Sequence, residues 1–419
     1  MYSYLYNTLE RASEQIEVIV VGLGFMSYGF YSGVQQVPGI KIPLILSRRP
    51  DQTVAFLINK GHKAVIEHNP SRIKDNSKIN VISVSDDLDL IKTYENKFVI
   101  EMTGTVDHGV EVALKTFEAG KHFITMNPEL QATLGSPLKK IADENKLHIS
   151  DVYGDQPGSL ARLLYHAKMM GFKPLVAGNM KRYRDNYATQ EKMQPWADDK
   201  GLAVRQTVSF TDGTKQAIEM TLVANYFGFD LMQPGMHGVA ADDIRETLLQ
   251  FSSMEIPDEG IVDYAIGKNL FPGVFVIVEH TSPDQQQYLR YLNMGDGPRY
   301  VLFDAYHLCH LEVANTIAQI ALTGQEVINN GLTPVTATIA YAKQDISSGT
   351  KCDGIGGDLV RGDIVKAEEG KKYVPVGLTK GMEFVKSVSM DEPIPLDAVK
   401  LPDTTAVRLW KSYNEESES

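Results

Sequence analysis

The sequence predicts an α/β protein with a Rossmann-type domain of parallel strands, then an α+β domain and a small β-rich C-terminal domain. From residue 16 to about 150, β-forming runs alternate with helix-period segments, which is the pattern of a parallel sheet covered on both faces. The first apolar run also ends in Gly22-Leu-Gly24 before a helical segment. After residue 150 the alternation stops, and short β-runs with frequent Gly and Pro begin at Gly331.

The chain of 419 residues is too long for one hydrophobic core, so we expect several domains. The predicted divisions are a nucleotide-binding domain over 1–152, a substrate and catalytic domain over 153–304, a C-terminal domain over 331–412 and a disordered tail over 413–419. A helix over 305–323 is expected to return to the nucleotide-binding domain.

Composition restricts the class of protein. The formal net charge of -12 argues against a general affinity for nucleic acid or for anionic membranes. Two cysteines are too few for a disulfide framework, which fits a reducing compartment. Residues 1–15 read as a short amphipathic helix and not as a signal peptide, and no apolar run is long enough for a membrane span. We expect a cytoplasmic homodimer or homotetramer whose partner is a small anionic molecule.

The elements follow from runs of β-formers and from helical periodicity. Strands are predicted at Ile16–Val21, Ile40–Leu46, Ile79–Val84, Phe98–Glu101, His122–Thr125, His148–Val152, Lys173–Asn179, Val274–Glu279, Tyr288–Leu292 and Tyr300–Phe303. Helices in the first domain are predicted at Phe25–Val37, Asp51–Lys60, Asp87–Tyr94, Gly109–Ala119 and Ser136–Asn145.

The glycine loop after the first strand predicts a dinucleotide site. A strand that ends in Gly-x-Gly and enters a helix directs free backbone N–H groups and the positive end of the helix dipole at one point. Gly22 would form the tight turn, and Gly24 would let the pyrophosphate approach. Phe25 and Met26 open the helix beside it, and Ser27 stands where the fingerprint has its third small residue.

The end of the second strand predicts the choice of cofactor. An NAD enzyme usually has Asp or Glu there, whereas this chain has Ser47-Arg48-Arg49. Two guanidiniums and a hydroxyl suit a 2′-phosphate, so we predict NADP(H) over NAD(H). The alternative is that both arginines are merely solvated.

Two further strand ends should face the cofactor, because ligands of open parallel sheets lie outside the carboxyl ends of the strands. We expect Thr103 and Gly104 near the nicotinamide ribose, and Asn127 and Glu129 nearer the substrate. The alternative for all four is ordinary loop capping.

The middle region supplies candidates for proton transfer. Lys181 or Lys215 could protonate the alkoxide formed by hydride transfer, with Asp212 orienting the lysine. The alternatives are a solvated strand end around Lys181 and an N-cap role for Asp212. Asp155, in a dense turn, and His237 are further catalytic candidates.

A local basic cluster predicts an anionic substrate group, phosphate or carboxylate. Arg182 and Arg184 follow Lys181 in an otherwise acidic chain. His307, with His310 and Glu312, is an alternative proton donor and could suggest a metal, but no distant ligand matches this spacing. The requirement for a divalent metal therefore stays open.

Six segments together resemble the homoserine dehydrogenase-like oxidoreductases that carry a C-terminal SAF-type domain, a group that includes 1-deoxy-D-xylulose 5-phosphate reductoisomerase-like enzymes. The resemblance covers nearly the whole chain and implies NADPH-dependent chemistry and a SAF-type module that covers the active site or joins subunits. The segments begin at Gly22, Glu101, Ala119, Gly154, Ser209 and Pro234.

Two homoserine dehydrogenase segments are missing, since Asp155-Gln-Pro-Gly and Asp212-Gly-Thr-Lys215 stand in their place. The resemblance therefore favours reduction of 1-deoxy-D-xylulose 5-phosphate to 2-C-methyl-D-erythritol 4-phosphate, an isoprenoid precursor. The alternatives are an amino-acid semialdehyde, another sugar or polyol phosphate, and a non-enzymatic nucleotide-binding protein.

Overall fold

The computed structural model describes residues 1–418, with side chains described up to residue 415. It divides into two compact units. The first contains residues 1–130, 134–155 and 308–329, and the second contains 131–133, 156–307 and 330–419.

The first 155 residues contain seven strands and seven helices. The strands are β1 (Ile16–Val21), β2 (Ile40–Leu46), β3 (Ala64–Ile66), β4 (Ile82–Ser85), β5 (Phe98–Glu101), β6 (His122–Thr125) and β7 (Ile149–Asp151). The helices are α1 (Tyr2–Arg11), α2 (Phe25–Val34), α3 (Pro50–Asn59), α4 (Pro70–Lys78), α5 (Leu90–Thr93), α6 (Val106–Glu118) and α7 (Pro128–Glu144).

The rest of the chain contains nine strands and nine helices among the described residues. The strands are β8 (Lys173–Lys181), β9 (Val239–Ala240), β10 (Ile261–Ile266), β11 (Val274–Glu279), β12 (Arg299–Asp304), β13 (Thr336–Ala342), β14 (Val360–Lys366), β15 (Glu383–Phe384) and β16 (Val399–Lys400). The helices are α8 (Gln156–Met169), α9 (Gln190–Lys200), α10 (Val204–Thr211), α11 (Thr214–Phe227), α12 (Thr247–Ser252), α13 (Pro283–Tyr291), α14 (Cys309–Thr323), α15 (Ala367–Gly370) and α16 (Thr405–Glu418).

The first unit is built on a seven-stranded sheet in the order β3-β4-β2-β1-β5-β6-β7. Every pairing in it is parallel. The prediction of a Rossmann-type parallel sheet is confirmed. Because β1 lies between β2 and β5, the strand order reverses there, which is where sheets of this kind bind ligands.

The burial of β1 agrees with its central position in the sheet. Its last four residues are fully buried, as a strand covered on both faces requires. Helices α2 and α14 belong to the same apolar core as β1, through side chains such as Phe30 and Ile317. Helix α14 begins at Cys309, four residues after the start of the helix predicted over 305–323, and the predicted domain to which that helix would return stays a prediction.

The second unit is built on a five-stranded mixed sheet in the order β12-β11-β8-β10-β9. The central strand β8 is parallel to β10 and antiparallel to β11. Helices α8 and α11 cover one face of the sheet. An apolar cluster around Met180 and Phe251 covers the other face.

Some predicted elements differ from the structure. The predicted strand Tyr288–Leu292 lies in α13, because Pro283 and Asp284 form a helical first turn that outweighs a short run of β-formers. The pattern also missed β3 and α4. Part of the predicted disordered tail is helical, since α16 continues to Glu418, and residue 419 lies outside the described residues.

The C-terminal residues form two small antiparallel pairs, β13 with β14 and β15 with β16. They fall in the same compact unit as residues 156–307. A separate C-terminal domain over 331–412 stays a prediction. Within residues 1–418, none of the helices has both the length and the apolar character needed to cross a lipid bilayer.

One half-buried histidine should make stability depend on pH. Burial, and next the charges of neighbouring His148 and Lys97, lower the pKa of His122 to about 4. The unfolded chain, with a pKa of about 6.5, then binds more protons than the folded chain between these values. We expect acidification through this window to remove on the order of 2 kcal/mol of stability, measured by urea unfolding at about pH 7 and about pH 4.5.

His122→Asn should lose less stability on acidification than the unaltered protein. His166→Asn, at an exposed position on α8, serves as the control and should behave as the unaltered protein does. Equal acid sensitivity in the His122 variant would contradict this origin.

Candidate functional site

The glycine loop has the geometry of a dinucleotide turn. Gly22 has φ +91°, and a Cβ there would meet Thr103 Cγ2 at 2.9 Å and the Met102 carbonyl oxygen at 3.3 Å. Only glycine therefore fits, and the loops after β1 and β5 touch. A Cβ on Gly24 would meet no other heavy atom within 4 Å among the described residues, so this part of the loop is open.

The first turn of α2 completes the loop. The Ser27 hydroxyl accepts a hydrogen bond from the Gly24 N–H at 2.8 Å, which caps the helix. A larger side chain would not fit this buried position. Phe25 and Met26 expose 64% and 40% of their surface beside the open glycine.

The end of β2 presents two free cations. Arg48 and Arg49 are exposed and form no ion pair with any described residue. The Ser47 hydroxyl pairs with that of Thr53 at 2.8 Å and accepts from the Arg49 N–H at 3.3 Å. Ser47 therefore fixes the start of α3, while both guanidiniums remain available to an anion.

Glu101 organises the ends of β5 and β6. It begins one of the six resembling segments, but the sequence did not predict a role for it. Its buried carboxylate accepts from the Thr103 N–H at 2.6 Å, the Thr103 hydroxyl, the Thr125 hydroxyl at 2.8 Å and the Asn127 amide at 3.1 Å. Thr103 is therefore held rigidly beside Gly22. Gly104 has φ +67°, and a Cβ at this position would meet no heavy atom within 4 Å among the described residues.

Asn127 differs from its predicted place near the substrate. It is fully buried, and its side-chain oxygen accepts from the Leu130 N–H at 3.1 Å at the start of α7. The loop-capping alternative therefore describes Asn127, because both ends of its amide are used inside the protein. Glu129 lies half-buried on the first turn of the same helix.

A polar cluster lies under the α8 and α11 face of the second sheet. Asn179 donates through Nδ2 to Gln156 Oε1 at 2.9 Å and to Glu219 Oε2 at 3.1 Å. Gln216 donates to Asn179 Oδ1 at 3.2 Å. Lys181 donates to Gln156 Oε1 at 3.3 Å, and its ammonium lies 3.7 Å from Glu219 Oε2. We call these five residues the Lys181 cluster.

Only Lys181 in this cluster is appreciably exposed, with 17% of its side chain accessible, whereas the other four members are each 3% exposed or less. Asn179 and Lys181 alternate on β8, so both side chains lie on the same face. The two-residue spacing within a strand could therefore have indicated from the sequence that Asn179 lies beside Lys181. The sequence could not link Glu219 to Lys181, because the two residues are 38 positions apart and meet only where α11 packs against β8.

The predicted basic cluster does not converge on one point. Arg182 is exposed and donates to the Leu270 carbonyl at 2.7 Å. Arg184 is bound to Asn186, to the Tyr264 hydroxyl at 3.0 Å and to Asp363 at 3.3 Å. Its guanidinium is thus largely committed to the protein.

The predicted pairing of Asp212 with Lys215 is replaced by another ion pair. Asp212 Oδ2 lies 2.6 Å from Lys343 Nζ, and both side chains are buried, with 0% and 2% exposed. Lys343 also donates to the carbonyls of Ala188 and Gly357. Asp212 Oδ1 accepts a hydrogen bond from the N–H of Thr214, the first residue of α11, whose N-cap position is occupied by Gly213. Lys215 lies half-buried on the first turn.

His237 lies beside a carboxylate on the other face of the sheet. Its Nδ1 is 2.7 Å from Oδ2 of Asp263, which also accepts from the N–H groups of His237, Gly238 and Tyr264. Asp263 pairs with Gly178 across the strands, so it shares a face with Met180 and not with Lys181. His237 is therefore separated from the Lys181 cluster by the sheet.

Two further candidates lie at the N-terminal ends of helices. Asp155 is buried immediately before α8. The ring of His310 lies against Gly29 of α2, where it leaves no room for a Cβ. Among residues 1–415, whose side chains are described, no group of three His, Cys, Asp or Glu side chains could hold a metal ion.

One known family matches a segment that lies mostly in the second unit. Residues 154–313 match the family model described as the catalytic domain of oxidoreductase DRL. This match confirms the predicted oxidoreductase. The segment contains Lys181, Glu219 and both glutamines of the Lys181 cluster, whereas β13 to β16 lie outside it.

Similar solved structures are distant. A protein described as a probable dehydrogenase from Thermotoga maritima is 13% identical, with 74% of this chain and 90% of that chain covered and a TM-score of 0.44. Biliverdin reductase from Synechocystis sp. PCC 6803, in complex with biliverdin and NADP+, is 12% identical, with 74% and 92% covered and a TM-score of 0.39. A DOX-P reductoisomerase in complex with magnesium is 13% identical, with 73% and 79% covered and a TM-score of 0.37. No curated protein matches the chain. These likenesses do not bear on the substrate.

The buried pair of Asp212 and Lys343 predicts a large effect on stability. Lys343→Met leaves a buried carboxylate without its cation, so we expect a loss of about 3–5 kcal/mol in urea unfolding. Asp212→Asn combined with Lys343→Met should recover most of it. The control Lys366→Met breaks an exposed pair with Asp230 and should cost about 1 kcal/mol or less. Equal losses at Lys343 and Lys366 would contradict this assignment.

Proposed function

We propose that this protein is an NADPH-dependent reductase of a small phosphorylated ketose. The observation that carries the proposal is the Lys181 cluster, in which a half-buried ammonium reaches out of a buried polar network within the segment that matches an oxidoreductase catalytic domain. Reduction needs such a group, because hydride transfer to a carbonyl carbon leaves an alkoxide that must be protonated.

The choice of NADPH over NADH rests on the end of β2. Arg48 and Arg49 are exposed cations at the start of α3, where the helix dipole also favours an anion. A 2′-phosphate could accept charge-assisted hydrogen bonds from both guanidiniums. Gly22 and Gly24 would receive the pyrophosphate, and Thr103 and Gly104 would adjoin the nicotinamide ribose.

We favour 1-deoxy-D-xylulose 5-phosphate as the substrate and 2-C-methyl-D-erythritol 4-phosphate as the product. Because the product is branched, one carbon–carbon bond of the ketose must break and another must form to give a branched aldehyde, and the carbonyl of that aldehyde is the group that NADPH reduces. Support comes from the resemblance to the reductoisomerase-like group, from the missing homoserine dehydrogenase segments and from cationic side chains such as Lys181, Arg182 and Lys215. An amino-acid semialdehyde and another sugar phosphate are the competing substrates. The proposal includes a SAF-type C-terminal module, a cytoplasmic location and a homodimer or homotetramer.

The cofactor assignment predicts the effect of removing both cations. Arg48→Ala combined with Arg49→Ala should weaken NADPH binding by about 10- to 100-fold in calorimetry, because charge-assisted hydrogen bonds to the phosphate are lost. NADH binding should change little. Arg72→Ala, at an exposed arginine on α4, is the matched control. Tighter binding of NADH than of NADPH by the unaltered protein would refute the assignment.

The catalytic assignment predicts which lysine matters. Lys181→Met should lower kcat by about 10²-fold or more, because the alkoxide loses its proton donor, while NADPH affinity stays unchanged. Lys215→Met tests the other candidate, and Lys168→Met, at an exposed position on α8, is the control. A large loss at Lys215 with none at Lys181 would transfer the role of the acid to Lys215.

The substrate is tested by NADPH oxidation, followed at the cofactor absorbance. We expect turnover with 1-deoxy-D-xylulose 5-phosphate and none with aspartate semialdehyde. The reverse result would overturn the substrate assignment while leaving the class of reaction in place. If neither compound nor any other sugar phosphate is reduced, the non-enzymatic alternative is favoured.

A further inference from the structure

The Lys181 cluster contains a buried carboxylate that no predicted role accounts for. Glu219 lies on α11, four residues after Lys215, and is 3% exposed. A carboxylate removed from water is costly unless a cation and hydrogen-bond donors compensate for it. Asn179 Nδ2 donates to Glu219 Oε2 at 3.1 Å, and the Lys181 ammonium lies 3.7 Å from the same atom.

Asn179 fixes the positions of both oxygens near the ammonium. Its Nδ2 donates one hydrogen bond to Gln156 and one to Glu219, and its Oδ1 accepts from Gln216. The orientation of the Asn179 amide is therefore determined, because exchanging its O and N atoms would break all three hydrogen bonds. Gln156 Oε1 and Glu219 Oε2 thereby become fixed neighbours of Lys181 Nζ.

Glu219 lies near enough to Lys181 for charge attraction but too far away for a hydrogen bond. At 3.7 Å the carboxylate attracts the ammonium without taking one of its hydrogens, whereas Gln156 accepts one hydrogen bond at 3.3 Å. An ammonium has three N–H groups. Two of them are thus left for oxygens of a bound substrate.

We propose that Glu219 is a positioning residue that attracts the Lys181 ammonium and directs it at the substrate carbonyl. This inference rests on the proposed reductase function. In the reaction, hydride from NADPH forms a bond to the carbonyl carbon, and the carbonyl π electrons move to oxygen. A Lys181 N–H bond breaks as the new O–H bond forms, which leaves NADP+ and a neutral amine. The negative charge of the nearby Glu219 carboxylate favours the return of a proton from solvent to that amine.

The first test is the pH–rate profile of Glu219→Gln, which removes the charge and preserves the shape of the side chain. We expect kcat to fall by about 10-fold and the basic limb of the profile to move to lower pH by about one to three units, because the ammonium loses its opposite charge. Glu191→Gln, at an exposed position on α9, should leave the profile unchanged. A lower rate with an unmoved basic limb would overturn the inference, since a merely structural role predicts that result.

The second test does not require a substrate. Acetic anhydride acylates only neutral amines, so the extent of Lys181 labelling at each pH, measured by peptide mass spectrometry, reports its protonation. In Glu219→Gln, half-maximal labelling should occur about one to three pH units lower than in the unaltered protein. Glu219→Asp should lie between the two, which covers the case in which the glutamine variant does not fold. Unshifted labelling in a folded variant would overturn the inference.

Failure of this inference can be told apart from failure of the proposed function. If Lys181→Met keeps full activity, Lys181 is not the acid, and the proposed mechanism fails whatever the labelling shows. If Lys181→Met is inactive while the Glu219 variants show neither shift, the reductase assignment stands and the positioning role of Glu219 is wrong.

Discussion

The parallel pairing of β1 with both β2 and β5 is the constraint on which the nucleotide-binding half depends. It delivers the carboxyl ends of three strands to one edge, where Gly22, Arg48 and Thr103 follow them. Contact between the loops after β1 and β5 leaves no room for a side chain at Gly22, and the Glu101 carboxylate holds Thr103 against it. Gly22, Arg48 and Thr103 thus lie at one edge as a consequence of strand order, and the chemistry of that edge follows from a few side chains at strand ends.

In the second unit, alternation along β8 and β10 separates the polar residues by face. Asn179 and Lys181 meet α8 and α11, whereas Asp263 holds His237 on the opposite face. The buried Asp263 carboxylate is satisfied by three backbone N–H groups and by the His237 ring. The sheet therefore separates Lys181 from His237, although the sequence places both residues in segments of similar appearance.

The sequence was sufficient where local pattern determines structure. The bounds of β1, β2, β5 and β6 follow from buried β-forming runs, and Gly22 and Arg48 could be found because strand order fixes where such residues lie. The sequence was insufficient where contacts between residues far apart in the chain determine the structure. Asp212 lies close to Lys215 in the chain, yet its partner is Lys343. Similarly, a proline at its first turn made α13 helical in a segment that looks like a strand.

The burial of Lys343 has a consequence for how this protein is divided. The matched segment ends at residue 313, and the cation that neutralises Asp212 within it comes from beyond that boundary. Thr214 and Asn225 likewise find partners at Gly362 and Thr336. Excised alone, the family-matched portion would lose the cation that neutralises Asp212 and the hydrogen-bond partners of Thr214 and Asn225, so we expect the smallest independently folding unit to include the strands that follow it in the chain.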